Sequence, residues 1–235
     1  MFLGNNHVVL GNSFIVMSRQ EPRQESSPEV TRYVRLLSAK APLFKRISEN
    51  TVLVRIPSFN HAFKKDIDAL IAKHLDKILK TENLIIDIRG NGGGSDVSYA
   101  SLLPILYTNP IRTVGMEYLS TELNNSRMLG FLENPHFSEE EKQWAKDGYD
   151  ILQQHIGSYI NIDDDVTVET FDKIEPLPKS IGVLVDSSNG STAEQFLLAA
   201  KQSKKVKLFG QTTAGVLDIS NMYQTDSPSG TYTLH

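Results

Sequence analysis

The sequence predicts an α/β fold, in which short buried strands alternate with amphipathic helices. Leu84–Ile88 and Ile181–Val185 are short apolar runs, and each is followed by a loop of small residues; both features are typical of buried strands. Phe63–Lys80 repeats apolar residues at helical spacing and leads directly into Leu84–Ile88. With Val52–Ile56 as the strand before it, this helix completes a βαβ unit.

The same criteria predict the remaining elements. Further strands are expected at Val8–Met17, divided at Gly11-Asn12, and at Val206–Phe209, and further helices at Thr31–Leu37, Ser95–Tyr107, Ser138–His155 and Ser191–Gln202. Ser138 and Glu141 have the spacing of a capping box. The Asp-rich stretch Ile160–Phe171 lacks the glycine and the spaced oxygen ligands of a calcium loop, so it predicts a solvated loop.

Composition excludes several classes of function. The 235 residues suit one large domain, or one domain with an appendage. A net charge of -4 gives no basic surface for a nucleic acid. The absence of cysteine excludes disulfides, cysteine nucleophiles and thiolate metal sites. No apolar run approaches the length of a membrane span, and the N-terminus lacks the pattern of a signal peptide.

The first candidate for chemistry is the glycine run Gly92–Gly94, between the predicted strand Leu84–Ile88 and the helix that begins at Ser95. A strand, a glycine loop and a helix N-terminus together present free N–H groups to an anion, either a phosphate or the oxyanion of an acyl transfer. The lysine of a phosphate-binding P-loop is absent, and Asp96 would repel a phosphate. A turn without any ligand is the alternative.

The second candidate is Ser191, at the start of the helix that follows strand Ile181–Val185. As a helix cap, its side chain would accept a backbone N–H, and Glu194 would complete a capping box. As a nucleophile, it would use the same cluster of N–H groups to bind the oxyanion that forms on attack. The local sequence leaves both roles open.

Three motifs in register carry a resemblance to a known family. They are Asp87-Ile-Arg-Gly-Asn-Gly-Gly-Gly94, Val185-Asp186 through Ser191-Thr-Ala-Glu194, and Gly210-Gln-Thr-Thr-Ala-Gly215. The sequence resembles the tail-specific, C-terminal processing serine peptidases over about Val52 to Gly215. The resemblance implies a crotonase-like fold of repeated ββα units, with helices packed on a twisted mixed sheet. It also implies a peptidase core at residues 51–235, preceded by N-terminal strands and a linker at residues 1–50.

The sequence departs from that family at two places. Many members place a general-base lysine directly after the last glycine of the third motif, where this chain has Val216. Many also carry a PDZ domain before the core, for which residues 1–50 are too short. Both departures favour a PDZ-less branch similar to the tricorn protease core and the interphotoreceptor retinoid-binding protein repeats. That branch implies an upstream histidine in an Asp-x-His-like motif. His7 occupies this position, and Asn5 stands where the aspartate is usual.

The resemblance implies a serine-type peptidase that acts through an acyl-enzyme on peptide or protein substrates and needs no cofactor. Ser191 would attack, His7 would take its proton, and the N–H groups of Gly93 (or Gly92) and Thr192 would hold the oxyanion. We expect His61, His74, His136 and His155 to be surface residues. The family also implies a downstream glutamate and an extracytoplasmic location. The chain stops in strand-like sequence at Thr231–His235, so we expect a fragment that ends before this glutamate.

Two rival functions remain at this point. One is a catalytically silent module that binds a ligand or a peptide, favoured by Val216 and Asn5. The other is a crotonase-type enzyme for acyl thioesters, which would use the oxyanion loops without a serine nucleophile. The sequence does not determine the substrate sequence or the oligomeric state.

Overall fold

The computed structural model describes residues 7–10, 13–16, 27–135, 137–217 and 225–234. The chain divides into two compact units, residues 1–40 and residues 41–235. The smaller unit contains an antiparallel hairpin of β1 (His7–Leu10) and β2 (Ser13–Val16), which confirms two short strands at this position. It also contains helix α1 (Pro28–Leu37), where the Ser27 side chain accepts a hydrogen bond from the Val30 N–H.

The larger unit alternates strands and helices through most of its length. Its elements in chain order are β3 (Leu43–Arg46), β4 (Thr51–Arg55), a 3-10 turn (His61–Phe63), α2 (Lys64–Ile78), β5 (Asn83–Asp87), a 3-10 helix (Asp96–Leu102), α3 (Leu103–Leu106), β6 (Ile111–Val114), β7 (Glu117–Leu119), α4 (Glu122–Glu133), α5 (Glu139–Gln153), β8 (Tyr159–Asn161), β9 (Val166–Glu169), β10 (Ser180–Val185), α6 (Thr192–Lys201), β11 (Val206–Gly210), β12 (Thr225–Asp226) and β13 (Thr233–Leu234).

The centre of this unit is a five-stranded sheet in the order β11-β10-β5-β4-β3. The first four strands are parallel, and β3 pairs antiparallel with β4 at the edge. In the middle, Ile86 lies beside Val54 on one side and Val183 on the other, and all three are fully buried. The predicted α/β class with its βαβ unit is confirmed, whereas β3, inside the predicted N-terminal segment of residues 1–50, was not predicted.

A cluster of three aromatic rings joins the segments that leave the sheet. Phe59 follows β4, Tyr99 lies in the 3-10 helix after β5, and Phe196 lies in α6. The ring centroids are 5.4 to 5.7 Å apart, in the tilted and edge-on arrangements that aromatic pairs favour. Phe59 and Phe196 are fully buried. This packing fixes the three segments relative to one another, and each segment adjoins a loop at the end of a strand in the chain.

A helical hairpin of α4 and α5 has a small core of its own around Met128, Ala145 and Leu152. The predicted capping box at the start of α5 is confirmed: the Glu141 N–H donates to Ser138 Oγ at 3.2 Å, and the Ser138 N–H donates to Glu141 Oε2 at 2.7 Å. Helix α4 was not predicted. Its apolar residues do not follow one stripe, since Met128 is buried while Leu123 is exposed.

Two segments differ from the sequence prediction. The prediction of a loop at Ile160–Phe171 is wrong in part, because β8 pairs with β7 and β9 pairs with β6. All four residues of β9 are exposed. The strand therefore has no buried face, and a buried face is the feature on which the sequence prediction of strands depends. The helix expected at Ser95–Tyr107 is present as a 3-10 helix followed by one α-helical turn. Among the described residues, no helix has the length and apolarity needed to cross a membrane.

Truncation of Ile86 to alanine should lower the free energy of unfolding by about 2 to 5 kcal/mol, because a fully buried side chain would leave a cavity in the middle of the sheet. The control is Leu123→Ala on the exposed side of α4, which should cost roughly 0.5 kcal/mol or less. Urea unfolding of both variants measures the difference. Equal losses would contradict the position of Ile86 in the core.

Candidate active site

Three loops meet at the carboxyl edge of the parallel strands. We name them the glycine loop (residues 88–95, after β5), the serine loop (residues 186–191, after β10) and the threonine loop (residues 211–216, after β11). Neighbouring parallel strands end at the same edge of a sheet, so the loops that follow them come together there. The three motifs of the sequence occupy these three loops.

Asn189 joins the serine loop to the glycine loop. Its Nδ2 donates to the carbonyl oxygens of Ile88 at 2.6 Å and Asn91 at 3.0 Å, and its Oδ1 accepts the N–H of Asp186 at 2.8 Å. Its own carbonyl accepts the N–H of Ala214 in the threonine loop at 2.7 Å. Asn189 is fully buried. One side chain and its backbone thus connect all three loops in a site where water does not compete for the bonds.

Asn91 joins the glycine loop to the segment after β4. Its Oδ1 accepts the N–H groups of Phe59 at 3.2 Å and Gly93 at 3.0 Å, and its Nδ2 donates to the Ile56 carbonyl at 3.3 Å. Asn91 is also fully buried. The asparagine in the Asp-x-Arg-x-Asn motif therefore holds the glycine loop in place.

Asp87 and two arginines support the base of the glycine loop. Arg89 binds both carboxylate oxygens of the buried Asp87, through Nε at 2.9 Å and Nη2 at 2.7 Å. Arg55 Nη1 donates to the Asp87 carbonyl at 3.1 Å. Burial lowers the pKa of Arg55, and the negative charge of Asp87 opposes this change. The aspartate and arginine of this motif thus form a buried ion pair at the base of the loop, and loss of Asp87 would remove a carboxylate that both arginines approach.

The glycine loop approaches the serine loop closely at Gly93. A Cβ at Gly93 would lie 2.7 Å from the Gly190 carbonyl oxygen, 2.9 Å from Ser191 Cβ and 3.0 Å from the Thr192 nitrogen. Gly93 also has a φ of +106°, which favours glycine. Only a residue without a side chain fits here, and the backbone of Gly93 consequently borders Ser191 and the first helical N–H of α6.

Ser191 has a strained backbone at the turn between β10 and α6. Its φ of 52° and ψ of -127° make it the one non-glycine residue with positive φ in the part of the chain that the structure describes. Such a conformation costs about 1 to 3 kcal/mol and persists only where the surrounding structure holds it. A serine on a sharp, strained strand-to-helix turn is the arrangement of the nucleophile elbow in α/β hydrolases.

Backbone N–H groups are available around Ser191. Thr192 is the first residue of α6, and neither its N–H nor that of Gly92 donates a hydrogen bond within the described residues. The Gly93 N–H, by contrast, donates to Asn91 Oδ1 at 3.0 Å, so an oxyanion at Gly93 would have to share or displace this bond. Burial raises the pKa of the nearby Asp96 carboxyl, and a hydrogen bond with Thr192 partly offsets that rise. A negative charge here disfavours a phosphate ligand.

Glu194 has a larger role than the sequence suggested. Its side chain, in the first turn of α6, is only 8% exposed, and its carboxylate accepts four hydrogen bonds. The donors are Thr213 Oγ1 at 2.6 Å and the N–H groups of Gly215 at 2.7 Å, Val216 at 2.9 Å and Ser191 at 3.2 Å. Burial raises the pKa of Glu194, but these hydrogen bonds outweigh it and hold the pKa below the usual value. The predicted bond to the Ser191 N–H is present, but three contacts to the threonine loop were missed.

The structure brings together Ser191, Thr192 and Gly93 from the predicted site. His7 lies in β1, in the smaller unit, and its side chain falls outside the described residues, as do Asn5 and His136. His61 and His155 are exposed, as expected. His74 is only half-buried, with its ring stacked on Phe44 at a centroid distance of 4.1 Å.

Val216 occupies the position where many relatives carry a lysine. Its side chain is 37% exposed. A Cβ built at Gly190 would lie 2.7 Å from Val216 Cγ2, so this side chain borders the residue before Ser191. An apolar group is therefore present beside the serine where a lysine base would be expected.

Comparison with solved structures gives proteins of related fold. Mature CPAF complexed with lactacystin matches with a TM-score of 0.53 and 17% identity, over 78% of this chain and 42% of that chain. A putative peptidase from Parabacteroides merdae ATCC 43184 matches with a TM-score of 0.50 and 17% identity, over 85% of this chain and 52% of that chain. This chain thus spans about half the length of either structure. At such identities the likeness shows the fold alone.

The family assignment comes from the sequence match. No curated protein matches this chain. The family model described as "Peptidase family S41" matches residues 50–234, which include the central β4-β5-β10-β11 sheet and all three loops of the site. The chain therefore belongs to peptidase family S41, the family of the tail-specific and C-terminal processing peptidases.

Proposed function

We propose that this chain is a serine-type peptidase that hydrolyses peptide bonds through an acyl-enzyme, with Ser191 as the nucleophile. The observation that carries the proposal is the strained backbone of Ser191 at the start of α6. A helix cap does not require such a conformation, since cap residues normally adopt the extended region of φ and ψ. The strain therefore favours a nucleophile over a structural cap. Membership of family S41 supports peptides or proteins as the substrates.

In the proposed reaction, Ser191 Oγ attacks the carbonyl carbon of the scissile peptide and forms a tetrahedral intermediate. The N–H of Thr192, together with that of Gly93 or Gly92, donates hydrogen bonds to the oxyanion. His7 takes the proton from Ser191 and returns it to the leaving amine, after which water hydrolyses the acyl-enzyme. His7 is proposed because a histidine needs no perturbation of its pKa to act near neutral pH.

The second candidate function is a silent module of the same fold that binds a peptide or another ligand. The observation that favours it is Val216, whose apolar side chain borders Gly190 where a lysine base would be expected. A fluorophosphonate probe separates the two functions, because it reacts with an activated serine and requires no known substrate. A binding module, or an enzyme of the acyl-thioester type, would not be labelled at Ser191.

The strain at Ser191 predicts the relative stability of two variants. Ser191→Ala retains the Cβ and therefore the strain, whereas Ser191→Gly relieves it, so the glycine variant should be the more stable by about 1 kcal/mol. The order should reverse at Ser126, in the interior of helix α4, where glycine costs about 1 kcal/mol relative to alanine. Urea unfolding of the four variants gives both differences. The same order at both sites would contradict the strained turn.

Loss of the Ser191 hydroxyl should remove activity and leave the fold intact. Ser191→Ala should abolish fluorophosphonate labelling and lower peptide hydrolysis by several orders of magnitude, as expected for a lost nucleophile. Its stability should change by at most about 2 kcal/mol, which is the cost of a lost cap. Ser187→Ala, an exposed serine of the same loop, is the matched control and should be labelled normally. Labelling of the Ser191→Ala protein would refute the assignment.

A side chain at position 93 should impair the chemical step. Gly93→Ala places a Cβ against Gly190, Ser191 and Thr192, and should lower kcat by about a hundredfold, comparable to the loss of an oxyanion donor. Gly157→Ala is the control, because Gly157 also has a positive φ of 88° but has open space around its Cβ position. A Gly93→Ala protein with normal kcat and only a raised KM would show that the loop binds substrate without stabilising an oxyanion.

His7 should govern the acid side of the pH profile. If it is the base, kcat/KM should fall towards low pH through an apparent pKa of about 6 to 7. His7→Ala should abolish this limb together with most activity, while His155→Ala at an exposed site should leave both unchanged. Measurement of kcat/KM from pH 5 to pH 9 for the wild-type, His7→Ala and His155→Ala proteins tests this assignment. An active His7→Ala protein with the wild-type profile would exclude His7 as the base.

A further inference from the structure

Glu194 connects the threonine loop to the backbone of Ser191 through its two carboxylate oxygens. Among the described residues, Oε1 accepts hydrogen bonds from the threonine loop alone, from Thr213 at 2.6 Å and Gly215 at 2.7 Å. Oε2 is shared, because it accepts the N–H of Val216 at 2.9 Å and the N–H of Ser191 at 3.2 Å. The same oxygen therefore contacts both the loop and the strained residue.

This oxygen is the acceptor for the Ser191 N–H within the described part of the chain. Rotation about the bond from N to Cα of Ser191 sets its φ, and with it the direction of the hydroxyl-bearing side chain. A residue in such a strained conformation needs surrounding contacts to hold it. The bond from the Ser191 N–H to Glu194 is one of these contacts.

The threonine loop also contacts the serine loop at Gly190 and Asn189. Val216 borders Gly190, where a Cβ would lie 2.7 Å from Val216 Cγ2, and the Ala214 N–H donates to the Asn189 carbonyl at 2.7 Å. The peptide between Gly190 and Ser191 consequently has the carboxylate of Glu194 at its N–H and the side chain of Val216 beside Gly190. A shift of the threonine loop would alter both contacts.

The charge of Glu194 is stabilised where it lies. The carboxylate is in the first turn of α6, where the helix dipole favours a negative charge, and each oxygen has two donors. Because Glu194 is only 8% exposed, its carboxylate depends on these protein donors more than on water. A neutral or misdirected group at this position would leave partly buried donors without this acceptor.

We propose that Glu194 is a positioning residue that transmits the placement of the threonine loop to the backbone of Ser191, so that the hydroxyl is aligned for attack only while the loop is held. This inference rests on the proposed role of Ser191 as the nucleophile. Glu194 does not touch the substrate or exchange a proton in this scheme. It acts through Ser191.

The test is a double-mutant cycle on the rate of fluorophosphonate labelling and on kcat and KM for a peptide substrate. Glu194→Gln replaces one acceptor oxygen by an NH₂ group, which cannot accept the hydrogen bonds of the two donors that faced that oxygen. Thr213→Val removes a single bond to Oε1 and leaves the carboxylate in place. Asn125→Ala is the matched control, since Asn125 is a buried polar residue of α4 that bonds to Ser120, and its loss lowers stability within the helical hairpin.

We expect Glu194→Gln to slow labelling and to lower kcat by about tenfold to a hundredfold, the cost of a misplaced reacting group, with KM changed by less than about threefold. Thr213→Val should lower the same rates to a smaller extent. The double variant should resemble Glu194→Gln alone, because both changes break one pathway of contacts. Asn125→Ala should lower the Tm and leave the labelling rate unchanged.

Three results would overturn the inference. One is that the Glu194→Gln protein, assayed at a temperature where it is folded, is labelled at the wild-type rate. Another is that the labelling rate of Asn125→Ala falls in proportion to its loss of Tm, which would make the effect one of stability alone. The third is that the effects of Glu194→Gln and Thr213→Val on the labelling rate add in the double variant. If Glu194→Gln does not fold, Thr213→Val decides, and a wild-type rate in that variant rejects the inference. A wild-type chain that is not labelled at all would instead reject the proposed nucleophile, and the inference with it.

Discussion

The buried side chain of Asn189 is the contact on which the rest of the site depends. It satisfies two carbonyl oxygens of the glycine loop and one N–H of its own loop, while its backbone carbonyl holds the threonine loop. Backbone groups in loops beyond the end of a parallel sheet are not paired by strand–strand hydrogen bonds, so they must find other partners. An asparagine can serve a donor and two acceptors at once, which an apolar residue cannot.

Three carboxylates in this region have different hydrogen-bond partners. Asp87 is paired with arginine and supports the base of the glycine loop. Asp186 accepts the N–H groups of Gly90 and Ser188, both at 3.0 Å, and so closes the turn of the serine loop against the glycine loop. Glu194 is compensated by a hydroxyl and three backbone N–H groups. Only the bonds to Glu194 act directly on the strained serine.

The strained backbone of Ser191 is held in place by the packing around it. The aromatic cluster of Phe59, Tyr99 and Phe196 joins the segments that adjoin the loops, and the close approach of Gly93 leaves Ser191 no space to relax in that direction. The Thr192 N–H, which donates no hydrogen bond within the described residues, lies at the same place, since α6 begins at Thr192. A serine side chain, a helix N-terminus and a glycine backbone thus converge, and this arrangement offers N–H donors of the kind that bind an oxyanion.

The sequence by itself determined the four parallel strands of the sheet, the helices α2, α5 and α6, and the loops that hold Ser191, Thr192 and Gly93, because local apolar periodicity and glycine placement are encoded within a few residues. It did not determine β6 to β9 or α4, whose exposed and irregularly spaced apolar residues carry no periodic signal, so that their pairing depends on distant segments. The backbone strain at Ser191 and the contacts of Glu194 with the threonine loop were likewise decided only by the tertiary structure. Glu194 and Thr213 are 19 residues apart, and their hydrogen bond exists only because α6 and β11 fold back against one another. Local spacing could assign Glu194 to a helix cap, but the position of a distant loop makes it a bridge between that loop and the serine.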